Sequence, residues 1–176
     1  MITKNELLGM YRTALNHIQL AYATLLLWSY PGTAGWFETL YGKLNNIPKP
    51  FPEITSFIRD KLAMKIACNE LYESAHRSAL KDLFALTKWY CHETGQLSKL
   101  EMQPWFQFWR ILRNCLAHKM RFSFNESEKK QLPVTWSGVT IDISMNGKAL
   151  THGQFSLEKL RELIQTVYTF LENDLI

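Results

Sequence analysis

Residues 103–118 read Q-P-W-F-Q-F-W-R-I-L-R-N-C-L-A-H. A proline's fixed φ and missing N–H suit the first turn of a helix, and the pattern predicts one over about Pro104 to Lys119. At roughly 100° per residue, Trp105, Phe108, Trp109, Ile111, Leu112, Cys115 and Leu116 fall on one broad face. Gln107, Arg110, Arg113, Asn114, Ala117, His118 and Arg121 fall within an arc of about 140° opposite it. The polar face is expected to point away from the subunit's core. Phe106 is the one aromatic on that side, which implies contact with a second subunit or with a base. A helix so heavily apolar on one face needs other helices to cover it, so a bundle is expected.

Working outward, the chain supplies those helices. A first helix is expected from about Thr3 to Tyr30, stopped by Pro31-Gly32. A short helical piece spans Trp36 to Leu44, and Asn45 to Pro52, with three prolines, reads as a loop. Helical periodicity resumes and runs to about Glu93, carried by Phe57, Leu62, Ile66, Leu71, Leu80, Leu83, Phe84 and Leu86. A straight helix of about 40 residues would outrun a domain of this size, so a break is expected near Glu73 to Arg77. Gly95 closes that segment as a left-handed cap. Ser98 and Glu101 have capping-box spacing, but Pro104 is the better first-turn residue for the motif helix.

Beyond the motif helix, Phe124 to Gln131 is polar and reads as a loop. Val134 to Trp136, Val139 to Ile143 and Ala149-Leu150 read as short strands, with turns at Ser137-Gly138 and Asn146-Gly147. Ser156 caps a last helix to about Glu172, with Leu157, Leu160, Ile164, Val167 and Leu171 on one face. The expected fold is mainly α, a helical bundle with a small β-hairpin or meander before the C-terminal helix. It forms one domain over 1–176, with a helical core at about 3–119 and 156–173 and a β insert at about 132–150.

Bulk properties fit a soluble globular protein: 176 residues, 47% hydrophobic, 20% charged, six tryptophans. The best candidate for a membrane span, Ile18 to Trp28, is too short and lies next to His17 and Gln19. Lys4, Asn5 and Glu6 do not suit a signal peptide. Three unclustered cysteines, Cys68, Cys91 and Cys115, read as reduced thiols, and a cytoplasmic location is expected. Net charge is only +4, but its placement is uneven. Residues 104–130 hold six Lys/Arg against two Asp/Glu. Between Arg110 and Arg121 there are four basic residues and no acid, so a polyanion is drawn to this stretch. Lys119 and Arg121 also suit a helix C-terminus through its dipole.

Within that basic stretch, Arg113, Asn114 and His118 place a cation, an amide and an imidazole on one helix face. That set can bind a phosphodiester and move a proton. The spacing alone carries little weight, because Arg12 and His17 in R-T-A-L-N-H repeat it. That second pair lacks the amide and the basic flank, and reads as structural. Glu73 and His76 have the Glu-x-x-His spacing of di-iron bundles, but no second copy accompanies them, so no metal and no cofactor is expected; they read as surface or supporting groups. His92 reads as a helix C-cap and Trp136 as a packing residue. Neither a Gly-rich phosphate loop nor a serine nucleophile elbow occurs.

With these residues in place, the chain resembles the HEPN superfamily of small helical proteins. The signature is an arginine, then a polar residue, then a histidine four to six positions after the arginine. Here these are Arg113, Asn114 and His118. Y-C-H-E-T-G-Q at 90–96, residues 103–118 and L-P-V-T-W at 132–136 are similar to stand-alone HEPN proteins of plasmids and other mobile DNA. The resemblance covers most of the chain. It implies a metal-independent endoribonuclease acting as a homodimer, with two arginines and two histidines lining one composite cleft. It also implies a toxin or anti-phage role and the possibility of an antitoxin protein as partner. His118 would act as general base, Arg113 would hold the phosphate, and Asn114 would orient one of them. Arg110, Lys119 and Arg121 would attract the RNA backbone. Other members of the superfamily have lost catalysis, so a module that only binds RNA, a nucleotide or a protein is the alternative. A purely structural motif capping its helix is the third.

Overall fold

The computed structural model describes residues 2–43, 53–118, 120–151 and 153–176. Among them the chain forms α1 (Lys4–Ser29), α2 (Thr33–Lys43), α3 (Ile54–Arg59), α4 (Lys61–Glu93), α5 (Leu97–Glu101) and α6 (Phe106–Ala117). These are followed by α7 (Glu126–Lys129), strands β1 (Val134–Trp136) and β2 (Val139–Ile141), a 3-10 turn at Ile143–Met145, and α8 (Leu157–Asn173). The protein is mainly helical, with a two-stranded antiparallel hairpin before the C-terminal helix. The expected loop at Asn45 to Pro52 lies outside the described residues.

The chain divides into two compact units, Met1–Ala14 with His76–Ile176, and Leu15–Ala75. In the larger unit, α6 turns seven side chains inward, from Phe106 to Leu116. Trp109 is 1% exposed and meets Phe84 edge-on at 4.9 Å and Trp105 at 5.8 Å. Trp105 in turn meets Phe170 of α8 at 5.5 Å. Phe108 lies 5.5 Å from Phe155 and 5.7 Å from Trp136 of β1, so Trp136 packs against the helix. α8 begins where expected: Ser156 accepts the Lys159 N–H, and Leu160, Ile164, Val167 and Leu171 are buried. Tyr11 of α1 is fully buried, its hydroxyl 2.6 Å from the Thr87 hydroxyl of α4.

The smaller unit has its own core of Ile58, Met64 and Cys68, packed against Leu25, Trp28, Phe37 and Ile54. Arg59 donates two hydrogen bonds to Glu38, at 2.6 and 2.9 Å, joining α3 to α2. The Arg59 guanidinium holds the Glu38 carboxyl below its ordinary range.

Several expectations are corrected. α4 is continuous, with no break at 73–77; the break falls at Asp60, whose ψ of 95° is extended. The Asp60 carboxylate then accepts the Leu62 and Ala63 N–H groups at 3.0 Å and caps the new helix. Phe57, Leu62, Ile66 and Leu71 are exposed, while Leu80, Leu83 and Phe84 are buried, so on the uninterrupted α4 the expected apolar residues are covered toward the C-terminal end and not near the start. The motif helix starts at Phe106, two residues after Pro104, and ends at Ala117. Phe106 is 2% exposed and stacks on Phe84 at 5.8 Å, so it belongs to the subunit's own core. Ala149-Leu150 is not a strand: Ala149 forms a single bridge with Arg121, and β2 stops at Ile141.

The turns follow their residues. Ser137 and Gly138 both have positive φ, 47° and 77°, giving the two-residue hairpin whose twist suits antiparallel strands. Gly95, at φ 67°, completes a Schellman end to α4: Gln96 N donates to Cys91 O at 2.7 Å and Gly95 N to His92 O at 3.2 Å. An L-residue in that conformation costs about 1–2 kcal/mol. Gly95→Ala is therefore expected to lower unfolding free energy by about that amount, read from urea denaturation, with no change in m-value.

Candidate active site

The C-terminal turn of α6 and the segment after it build the site. His118 is the C-cap, with φ −101° and ψ 52°. Its N–H donates to Asn114 O at 3.0 Å and to Cys115 O at 3.1 Å, which fixes its backbone. Its side chain is exposed and makes no hydrogen bond among the described residues. The Arg121 N–H returns to His118 O at 3.1 Å, and Met120 between them has φ 57°. That left-handed residue turns the chain back along the helix.

Arg113 and Asn114 are half-buried and joined: Arg113 Nη1 donates to Asn114 Oδ1 at 3.1 Å. Asn114 Nδ2 donates to Glu128 Oε1 at 2.7 Å. Glu128 is 2% exposed. Its other oxygen accepts the Asn125 N–H at 3.0 Å, and Asn125 Oδ1 accepts the Glu128 N–H at 2.9 Å. This is a capping box, and it forms α7 where a loop was expected. Both Glu128 oxygens accept, so the Asn114 amide must present its NH2 to Glu128 and its oxygen to Arg113. A chain of hydrogen bonds thus runs from the α7 cap through Glu128 and Asn114 to the guanidinium.

Glu128 was not among the residues singled out from the sequence. Asn125-x-x-Glu128 has capping spacing, and that was the available signal. Glu128→Gln tests the relay. A glutamine has one acceptor for two donors, so either the Asn125 N–H or the Asn114 NH2 loses its partner. The variant is expected to lose about 1–3 kcal/mol of stability, measured by urea denaturation.

The basic residues divide. Arg110 is half-buried and donates to Gln131 Oε1 at 2.7 Å. Arg121 is exposed and donates to Gly147 O at 3.0 Å. Lys119 lies outside the described residues. Arg110, Arg113 and Arg121 form no ion pair among the described residues, so their charges stay available to an anion. The polar face of α6 is partly covered by its own chain at Glu128 and Gln131, whereas an open face was expected.

Other candidates separate from this site. Burial pushes the Cys115 thiol up to about 12, partly offset by a backbone hydrogen bond at Leu150, and the Cys91 thiol up to about 11. A thiol so held is protonated at neutral pH and a poor nucleophile. Arg12, exposed, donates to the Tyr168 hydroxyl at 3.2 Å. His92 pairs with Glu93 at 3.2 Å, and its carbonyl receives the Gly95 N–H. His76 is fully buried, which leaves the supporting reading of the two and removes the surface one. No three metal-ligating side chains converge among the described residues, and no described helix is long and apolar enough to cross a membrane.

The arrangement offers a hydrogen-bonded guanidinium and an oriented amide near the end of α6, with a solvent-facing imidazole at its C-cap. Comparison with family models, with curated proteins and with solved structures finds no match to this chain.

Proposed function

We propose that the chain is an endoribonuclease of the HEPN type, cleaving RNA without a metal ion at a site completed by a second copy. The observation that carries this reading is the Glu128–Asn114–Arg113 relay near the end of the helix that the exposed His118 caps. Holding a guanidinium in place before substrate arrives is what stabilising a charged transition state requires. An imidazole can both take and give a proton.

In the proposed reaction a neutral His118 takes the proton of a ribose 2′-hydroxyl. The 2′-oxygen bonds to the adjacent phosphorus while the bond from phosphorus to the 5′-oxygen breaks. The partner's His118, protonated, gives its proton to that leaving oxygen. The products are a 2′,3′-cyclic phosphate and a 5′-hydroxyl, with one proton taken and one returned. Arg113 neutralises charge on the non-bridging oxygens through its fork of N–H donors. Asn114 holds Arg113, and Arg110, Lys119 and Arg121 draw in the backbone.

A cytoplasmic toxin or anti-phage role, with an antitoxin as protein partner, belongs to the same proposal and rests on the resemblance. The test is incubation of the purified chain with RNA, with and without EDTA. Cleavage that survives EDTA and disappears in both Arg113→Ala and His118→Ala supports the proposal. Salt-sensitive RNA binding without product would instead make the chain a binding module.

A further inference from the structure

The smaller unit contains a cavity of about 590 Å³. That volume lies in the range that encloses small molecules. Trp28, Ile58, Met64 and Cys68 give it an apolar side, and Ile58, Met64 and Cys68 are each at most 9% exposed. α4 presents two adjacent stripes to it, one turn apart along each: Met64 and Cys68, then Lys61 and Lys65. Both lysines are exposed, and neither forms an ion pair among the described residues. Arg59 also lines the cavity, its charge already matched by Glu38. No aspartate or glutamate is among the described lining residues. The cavity therefore combines an apolar wall bearing a tryptophan with two lysines, neither in an ion pair among the described residues, at one side.

We propose that this cavity binds a small aromatic anion, its ring against Trp28 and Met64 and its anionic group at Lys61 and Lys65. Methionine sulfur and an indole face both favour an aromatic ring. Lysine ammonium groups serve a phosphate or carboxylate as point charges. The site is independent of the proposed RNA chemistry, since none of Arg113, Asn114, His118 or Glu128 takes part.

The test is calorimetric titration of the full chain with 1-naphthyl phosphate, beside 1-naphthoate, 1-naphthol, decanoate and inorganic phosphate. Saturable one-to-one binding is expected for both naphthyl anions. It should be at least tenfold weaker for naphthol, for decanoate and for inorganic phosphate. Lys61→Gln with Lys65→Gln, both on the surface, is expected to weaken naphthyl binding about tenfold. Ala34→Phe, which fills the cavity from α2, is expected to remove it, with far-ultraviolet circular dichroism showing that the variant remains helical. Absence of saturable binding, equal affinity for naphthol or decanoate, or wild-type affinity in either variant would overturn the proposal. So would a cavity closed by a second copy, seen as a dimer that Ala34→Phe dissociates.

Discussion

His118→Ala is expected to lower the rate of RNA cleavage by about 10²–10⁴-fold, the range over which a positioned general acid or base acts. In a composite cleft the substitution removes both the base and the acid, so the upper part of that range applies. The side chain is exposed at the helix C-cap and makes no hydrogen bond among the described residues. Its loss should therefore change unfolding free energy by no more than about 0.5 kcal/mol. Loss of rate with an unchanged melt separates a chemical role from a structural one. Equal losses of rate and stability would make His118 a capping residue. Wild-type rates would remove it from the reaction.

Trp109→Ala is expected to have the largest effect on stability, about 3–5 kcal/mol. The indole is 1% exposed and wedged between Phe84 and Trp105, so truncation leaves a cavity ringed by aromatics that cannot collapse. For a chain of this size each kcal/mol lowers Tm by about 2–4 °C, giving a fall of about 6–20 °C. Trp109→Phe should cost much less, since most of the volume remains. Because α6 carries both the aromatic face and Arg113, the alanine variant should also lose any RNA activity near its melting point. A loss under about 1 kcal/mol would contradict the packing described for this helix.

Much of the larger unit was legible from periodicity. The apolar face of α6, the cap at Ser156, the left-handed Gly95 and the hairpin turn at Ser137-Gly138 each follow from a local rule. Local rules failed where a distant partner decides. Phe106 lies on the polar side of an ideal wheel, yet Phe84 draws it into the core. Leu62 and Leu80 lie five turns apart on one face of α4, yet only Leu80 is buried, because periodicity marks a face and not which length of it a partner covers. The stretch 124–131 looked like a loop because its residues are polar. Its polarity instead serves a capping box, and the buried Glu128 reaches back to Asn114. Sequence could place Arg113, Asn114 and His118 on one face. It could not show that Glu128 and Gln131 cover part of that face, or that only His118 of the three is exposed.

The most direct measurement is end-group analysis of RNA treated with the full chain in EDTA, alongside RNA of the same sequence carrying 2′-O-methyl groups. Attack by the 2′-hydroxyl predicts 2′,3′-cyclic phosphate and 5′-hydroxyl ends from the first substrate and no cleavage of the second. Absence of cleavage, 5′-phosphate ends, or cutting of the methylated strand would contradict a site built on Arg113 and His118.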